Sequence, residues 1–282
     1  GLFFRTHCSK QTRDLWRIIK VSAFDMEGMD FYNPGYIEEM RHTWGEQSWQ
    51  WSAYVLGEFP TEQQDAAIPL WLIRDAVARK AEPLEGYHRI WGFDPAAGGD
   101  RSVLVKRHAN IIESIDWWRE RDQAVALERI RKEFWGTPDK QKPAAIVVDA
   151  VGMGLPIADV LRHDGLPIVA WMSSENSVEK LRYRNKRAEM WGLGREWFEE
   201  QNCVIPDDDD LVEELAAPIR FIPEDKNTAY GSAYIIESKK DIRERIGRST
   251  DIADAVLLSL CAKWRERNKE YLRSVLPGLL SL

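Results

Sequence analysis

Arg89-Ile90-Trp91-Gly92-Phe93-Asp94 is the stretch that decides the fold: an apolar, β-type run that ends on a carboxylate and opens into Pro95-Ala96-Ala97-Gly98-Gly99-Asp100, a glycine turn. A strand this apolar belongs inside a sheet, and an aspartate at its end stands where ligand crevices form. Two further strands, at residues 102–106 and 110–115, follow with short connections, so the spacing predicts an antiparallel meander. Ala124, Leu127, Ile130 and Phe134 recur at helical spacing and predict a helix over 121–135. Next comes Ala144-Ala145-Ile146-Val147-Val148-Asp149, too short for a helix and bounded by Pro143 and Gly152; it reads as a buried central strand.

Downstream, the pattern predicts a helix over 153–163, a strand over 166–171 and a long helix over 185–201. A hairpin is expected over 219–238, built on 219–222 and 232–236 and turned by 227–231. Residues 251–264 are apolar nearly all round and read as a buried helix. The order predicts an α/β fold: a mixed sheet flanked by helices, with an added hairpin. Upstream the pattern is less regular. Phe3-Phe4, 16–21 and 54–56 read as short strands, 34–44 and 70–80 as helices. Residues 1–85 are expected to be the tail end of a larger unit plus a linker, 86–265 the principal domain and 266–282 a C-terminal tail.

The chain has 282 residues, 44% hydrophobic and 30% charged, ample for a buried core and unlike a disordered composition. No apolar run reaches the roughly 18 residues of a membrane-spanning helix. Cys8, Cys203 and Cys261 are odd in number and far apart, which excludes a disulfide framework or a CxxC zinc site and suits a reducing compartment. The net charge of −7 argues against a nucleic-acid partner when taken in bulk. Its distribution is less restrictive. Residues 207–214 hold six acids and no base, expected to be a solvated loop leading into a helix, so the rest of the chain is nearly neutral. Residues 180–187 carry five bases and no acid, and 239–248 carry five bases against two acids. Either stretch could hold a phosphate backbone or simply face water.

Asp94 and Asp149 each end an apolar strand, and burying an ionised carboxylate is costly unless a cation or several donors compensate it. Each alone could be a turn aspartate that satisfies backbone amides. Asp251 and Asp254, three apart on one helical face, are the only acids in the last apolar helix. Capping accounts well for Asp251 and poorly for Asp254, which lies a turn further in. Two strands and one helix thus supply acids with the chemistry to hold two divalent cations for phosphodiester cleavage, and oxygen-only ligands favour Mg²⁺ or Mn²⁺. The five histidines show no spacing that couples them to a nucleophile, and a GxxxxGK[ST] phosphate loop is absent, so ATP hydrolysis by that route is not expected.

Five segments in series carry a resemblance: 90–94 with 98–102, then 146–152, then Asn185-Lys186-Arg187-Ala188-Glu189-Met190-Trp191, then Glu237-Ser238-Lys239-Lys240-Asp241-Ile242-Arg243, then Ser249-Thr250-Asp251-Ile252-Ala253-Asp254-Ala255. In order and spacing over about 86–265 they resemble the nuclease domain of tailed-phage terminase large subunits. Upstream, Leu56-Gly57-Glu58-Phe59-Pro60 resembles the junction after that family's packaging ATPase domain, of which only the last portion is expected here. The resemblance implies an RNase H-like fold and an endodeoxyribonuclease that cuts concatemeric viral double-stranded DNA during packaging, leaving 5′-phosphate and 3′-hydroxyl ends. It implies Asp94, Asp149 and Asp254 as catalytic metal ligands, Asp251 as an auxiliary, and two Mg²⁺ or Mn²⁺ ions. It also implies a terminase small subunit and a portal protein as partners, in the host cell cytoplasm, for a phage or prophage protein absent from the mature virion. Arg184, Lys186, Arg187, Lys239 and Lys240 are the candidate phosphate contacts. Competing readings are a junction resolvase or integrase of the same fold, and a non-catalytic DNA-gripping or motor-docking module.

Overall fold

The computed structural model describes residues 16–17, 19–30, 32–46, 51–58, 65–96, 100–222 and 233–262. Its centre is a five-stranded sheet in the order β3-β2-β1-β4-β5. Strands β1 (Arg89–Asp94), β2 (Ser102–His108) and β3 (Ile111–Trp118) form the antiparallel meander. Strands β4 (Ala145–Asp149) and β5 (Ile168–Trp171) lie parallel to β1 and to each other. The register sets Phe93 beside Val148, so β1 and β4 deliver Asp94 and Asp149 to the same edge of adjacent strands.

The period-2 alternation of β1 sorts its residues between two cores. Trp91 and Phe93 face one side with Leu104, Ile146, Val148 and Ile168, under helices α3 (Gln123–Gly136) and α4 (Gly154–His163). Ile90, Val103, Val105, Ala145 and Val147 face the other. That second face is covered by α2 (Leu70–Ala78), α5 (Lys186–Glu199), α6 (Asp209–Ala216) and α8 (Asp251–Leu258). The result is helix, sheet, helix. α2 thus packs into the same core as the sheet, whereas α1 (Tyr36–Trp44) belongs to a smaller cluster in which Ile37, Trp51 and Val55 are buried. Helix α7 (Lys239–Ile246), starting on the Ser238 side-chain cap and ending on left-handed Gly247, leads into α8.

Gly92 is the tightest point of this packing. A Cβ there would overlap the Ala255 carbonyl oxygen of α8 and come within 2.8 Å of the Ser259 amide. Only a glycine lets the helix lie directly on the strand backbone.

Several expectations hold within a residue or two at their ends, as helix and strand limits usually do. Others are corrected. The strand expected at 54–56 is instead the end of a π-type turn, Trp51–Val55, in which the Leu56 and Glu58 amides donate to the carbonyls of Trp51 and Ser52. Local bonds consume the groups a strand would have offered. The described residues among 16–21 form no strand; Trp16, Ile19 and Val21 are more than half exposed, with no sheet beside them to make a strand stable. The acidic run leads into a helix as expected, α6 capped by Asp208, but it is not solvated throughout: Glu213 and Glu214 are buried because they lie inward alongside Leu211 and Leu215. The hairpin is present as β6 (Arg220–Phe221) against β7 (Ile235–Ile236). Its expected turn, Phe3-Phe4, the glycine pair at 98–99 and the C-terminal tail lie outside the described residues.

Replacing Gly92 with Ala should push α8 off the sheet and lower the unfolding free energy by about 3 kcal/mol. Urea denaturation measures it, and a loss under about 1 kcal/mol would contradict the packing described.

Candidate metal centre

Asp94 and Asp149 arrive at the site from adjacent parallel strands, and Asp254 arrives from the first turn of α8, held against β1 by Gly92. Asp94 is 8% exposed and Asp254 1%. Between them sits Lys239, the first residue of α7: its Nζ is 2.9 Å from Asp254 Oδ2 and 3.9 Å from Asp94 Oδ2. The ammonium is the compensating cation that the buried acids require.

Each carboxylate is held differently. Asp254 Oδ1 accepts from Trp191 Nε1 at 3.3 Å, and Oδ2 accepts from the Thr250 hydroxyl at 3.1 Å. Asp149 Oδ1 accepts from the Ser173 hydroxyl at 3.3 Å and the Val151 amide at 3.2 Å. Among the described residues Asp94 accepts no hydrogen bond at its carboxylate; Lys239 is its nearest partner. Burial pushes the Asp94 carboxyl well up, Lys239 pulls it back, and Asp254 and Asp149 push it further up. Burial likewise raises Asp149. Burial opposes ionisation of Asp254 too, but Lys239 and then Arg187 outweigh it, and that carboxyl ends below its ordinary value. Asp251 Oδ2 accepts from the Arg101 amide at 3.0 Å, which ties the start of α8 to the chain before β2.

A second layer holds α8 in place. Glu214 is fully buried, and its Oε2 accepts from the Ile252 amide at 2.8 Å and the Ala253 amide at 3.1 Å, satisfying donors at the helix start. Its other oxygen pairs with Arg101, and Arg248 Nε lies 3.6 Å away. Arg101 also binds Asp210 at 2.8 Å, and Arg248 binds Glu213 at 2.8 Å. Burial pushes the Glu214 carboxyl up to about 8 against the pull of these arginines.

Among the described residues no three His, Cys, Asp or Glu side chains form a ready-made metal cage. The donor set nonetheless fits a divalent cation: it is oxygen-only, and Asp94 is buried, unbonded and beside other acids. The space a cation would neutralise is taken by an ammonium on a flexible stem, 43% exposed.

The five candidate phosphate contacts fall in different places. Lys239 lies in the acidic site. Lys240 is exposed, 3.8 Å from Glu244. Lys186 pairs with Glu175 at 2.6 Å, and Arg187 Nη1 donates to the Glu237 carbonyl at 2.6 Å. Arg184 is half-exposed and has no acidic partner among the described residues. Trp191, Thr250, Ser173, Arg101 and Glu214 were not legible as site residues: all but Thr250, which bonds Asp254 four residues on, work through a contact to an element distant in sequence. Lys239 carried a usable local signal, because Ser238 and Asp241 mark a helix start that would fix its direction.

No protein-family model and no curated protein matches the sequence. Solved structures do match the fold. The nuclease domain of the large terminase subunit gp2 of bacterial virus Sf6 aligns with a TM-score of 0.53 and 16% identity, over 71% of this chain and 100% of that one. A mutant of that domain with manganese and β-thujaplicinol aligns at 0.55 and 15%, again over 71% and 100%. A mutant with calcium aligns at 0.54 and 16%, over 70% and 100%. The chain therefore has an RNase H-like fold, and more particularly that of the large terminase nuclease domains. Among the described residues no helix is long and apolar enough to cross a membrane.

Glu214→Ala should strand the buried Arg101 and two amides of α8, costing about 3–5 kcal/mol in urea denaturation. A loss below about 1 kcal/mol would show that the network does not anchor the helix.

Proposed function

We propose that the chain is a metal-dependent endonuclease that cuts concatemeric viral double-stranded DNA during genome packaging. The observation that carries this reading is the meeting of Asp94, Asp149 and Asp254, from two adjacent strands and one helix, around a single positive charge on an RNase H-like sheet. Asp94, Asp149 and Asp254 would together hold two Mg²⁺ or Mn²⁺ ions. Bound there, such ions would activate a water and stabilise the leaving oxygen of a phosphodiester.

The protein's own groups prepare the site. Trp191 and Thr250 fix the direction of the Asp254 carboxylate, and Ser173 does so for Asp149. The hydrophobic faces of β1, β4 and α8 exclude water from behind the acids, which strengthens their pull on a cation. Lys239 holds the acids together and must withdraw along its exposed stem for ions to enter. Arg184, Lys186 and Lys240 are placed as candidate contacts to the DNA backbone, with Arg187 bracing the loop behind them. The fold likeness supports a terminase small subunit and portal protein as partners, with action in the host cytoplasm.

Asp149→Asn should abolish Mn²⁺-dependent plasmid nicking, at least a hundredfold loss, while circular dichroism and the melting temperature stay near wild type. Undiminished nicking would leave a DNA-gripping or motor-docking role as the better reading. Lys239→Ala should tighten Mn²⁺ binding measured by calorimetry, because the competing ammonium is gone. Equal or weaker Mn²⁺ binding would show that the lysine does not occupy the ion site.

A further inference from the structure

Trp191 also lines a cavity of about 510 Å³, together with Arg182, Tyr183, Arg195, Arg220 and Tyr234 among others. The same indole whose Nε1 donates to Asp254 forms its wall. Two of the three guanidiniums are neutralised. Arg182 pairs with Glu179 at 3.0 Å and with Glu196 at 2.5 Å, and Arg195 pairs with Glu199 at 2.6 Å. Arg220 differs: among the described residues its guanidinium has no carboxylate within ion-pair distance and no hydrogen bond, and it lies over the Tyr234 ring, 5.0 Å from the centroid. A stacked guanidinium keeps its N–H fork free in the plane of the group, the geometry suited to bidentate binding of a phosphate. Glu179, Glu196 and Glu199 match the three arginines in number, but their contacts fall on Arg182 and Arg195 and leave the Arg220 guanidinium without an ion pair among the described residues. Burial and the like charge of Arg195 work against the Arg220 cation while Tyr234 and Glu199 support it, and a bound anion would add to that support.

The backbone keeps these groups in place. The Tyr234 amide donates to the Arg182 carbonyl at 2.8 Å, and the Arg184 amide donates to the Tyr234 carbonyl at 2.9 Å, so the basic stretch is joined to the hairpin beside Arg220. We infer that this cavity is a phosphate subsite, with Arg220 as its principal ligand, that takes a backbone phosphodiester of the DNA strand away from the cleavage point. The inference rests on the nuclease reading above for the identity of the ligand. It makes Trp191 the residue shared by the acids that would cut and the cavity that would hold.

The test is binding of a fluorescein-labelled DNA duplex to the full chain in Ca²⁺, followed by anisotropy over a range of salt. Arg220→Gln should weaken binding by roughly three- to tenfold regardless of sequence, and reduce the slope of log K against log salt by about 1. Arg220→Lys, which keeps the charge and loses the fork, should retain the slope and recover part of the affinity; this second variant stands if the first fails to fold. Unchanged affinity and slope in Arg220→Gln, with wild-type nicking intact, would overturn the subsite and leave the nuclease reading standing. A wild-type chain that neither nicks nor binds duplex would overturn both. ATP and inorganic phosphate are the free-phosphate arms: if either binds wild type but not Arg220→Gln while duplex affinity is unchanged, the cavity serves a free anion and not DNA.

Discussion

The contact of α8 with the backbone of β1 at Gly92 is the constraint on which the rest of the structure depends. A helix that rests directly on a strand brings its first turn level with the strand's end. That is why Asp254, buried among apolar neighbours, stands beside Asp94. Any side chain at position 92 would lift the helix and separate the two carboxylates, whatever the remainder of the core did. The parallel pairing of β1 with β4 then adds Asp149 by register alone.

Concentrating acids at one point carries an electrostatic cost, and the molecule meets it in two ways. At the centre the ammonium of Lys239 lies between Asp94 and Asp254. Behind α8 the compensation is fixed: Arg101 and Arg248 bind Asp210, Glu213 and Glu214, and Glu214 in turn occupies the amides that begin the helix. The contrast is physical. A rigid arginine fork satisfies several acceptors at once, whereas a lysine on a long stem can give up its position to another cation. The net charge of −7 therefore says little about partners, since much of the local acidity is matched inside the protein.

The strands and the acids that end them were legible because apolar runs bounded by proline and glycine have few other ways to fold. β1 is reproduced residue for residue, and β4 to within one position. The segments at 16–21 and 54–56 looked equally β-like, but among the described residues they pair with no strand, and pairing is a property of the whole fold. The acidic run was read by its charge, while its burial followed from Leu211 and Leu215 and from arginines far away in sequence.

The sequence by itself determined which acids terminate strands and helix, the order of the elements and the mixed character of the sheet, because hydrophobic periodicity and turn residues act locally. Only the tertiary structure decided that Lys239 lies among those acids, that Trp191 touches Asp254 and also lines an arginine-lined cavity, and that Glu214 braces α8. Those facts depend on which helix packs on which strand, and so on contacts between residues far apart in sequence that no local pattern records.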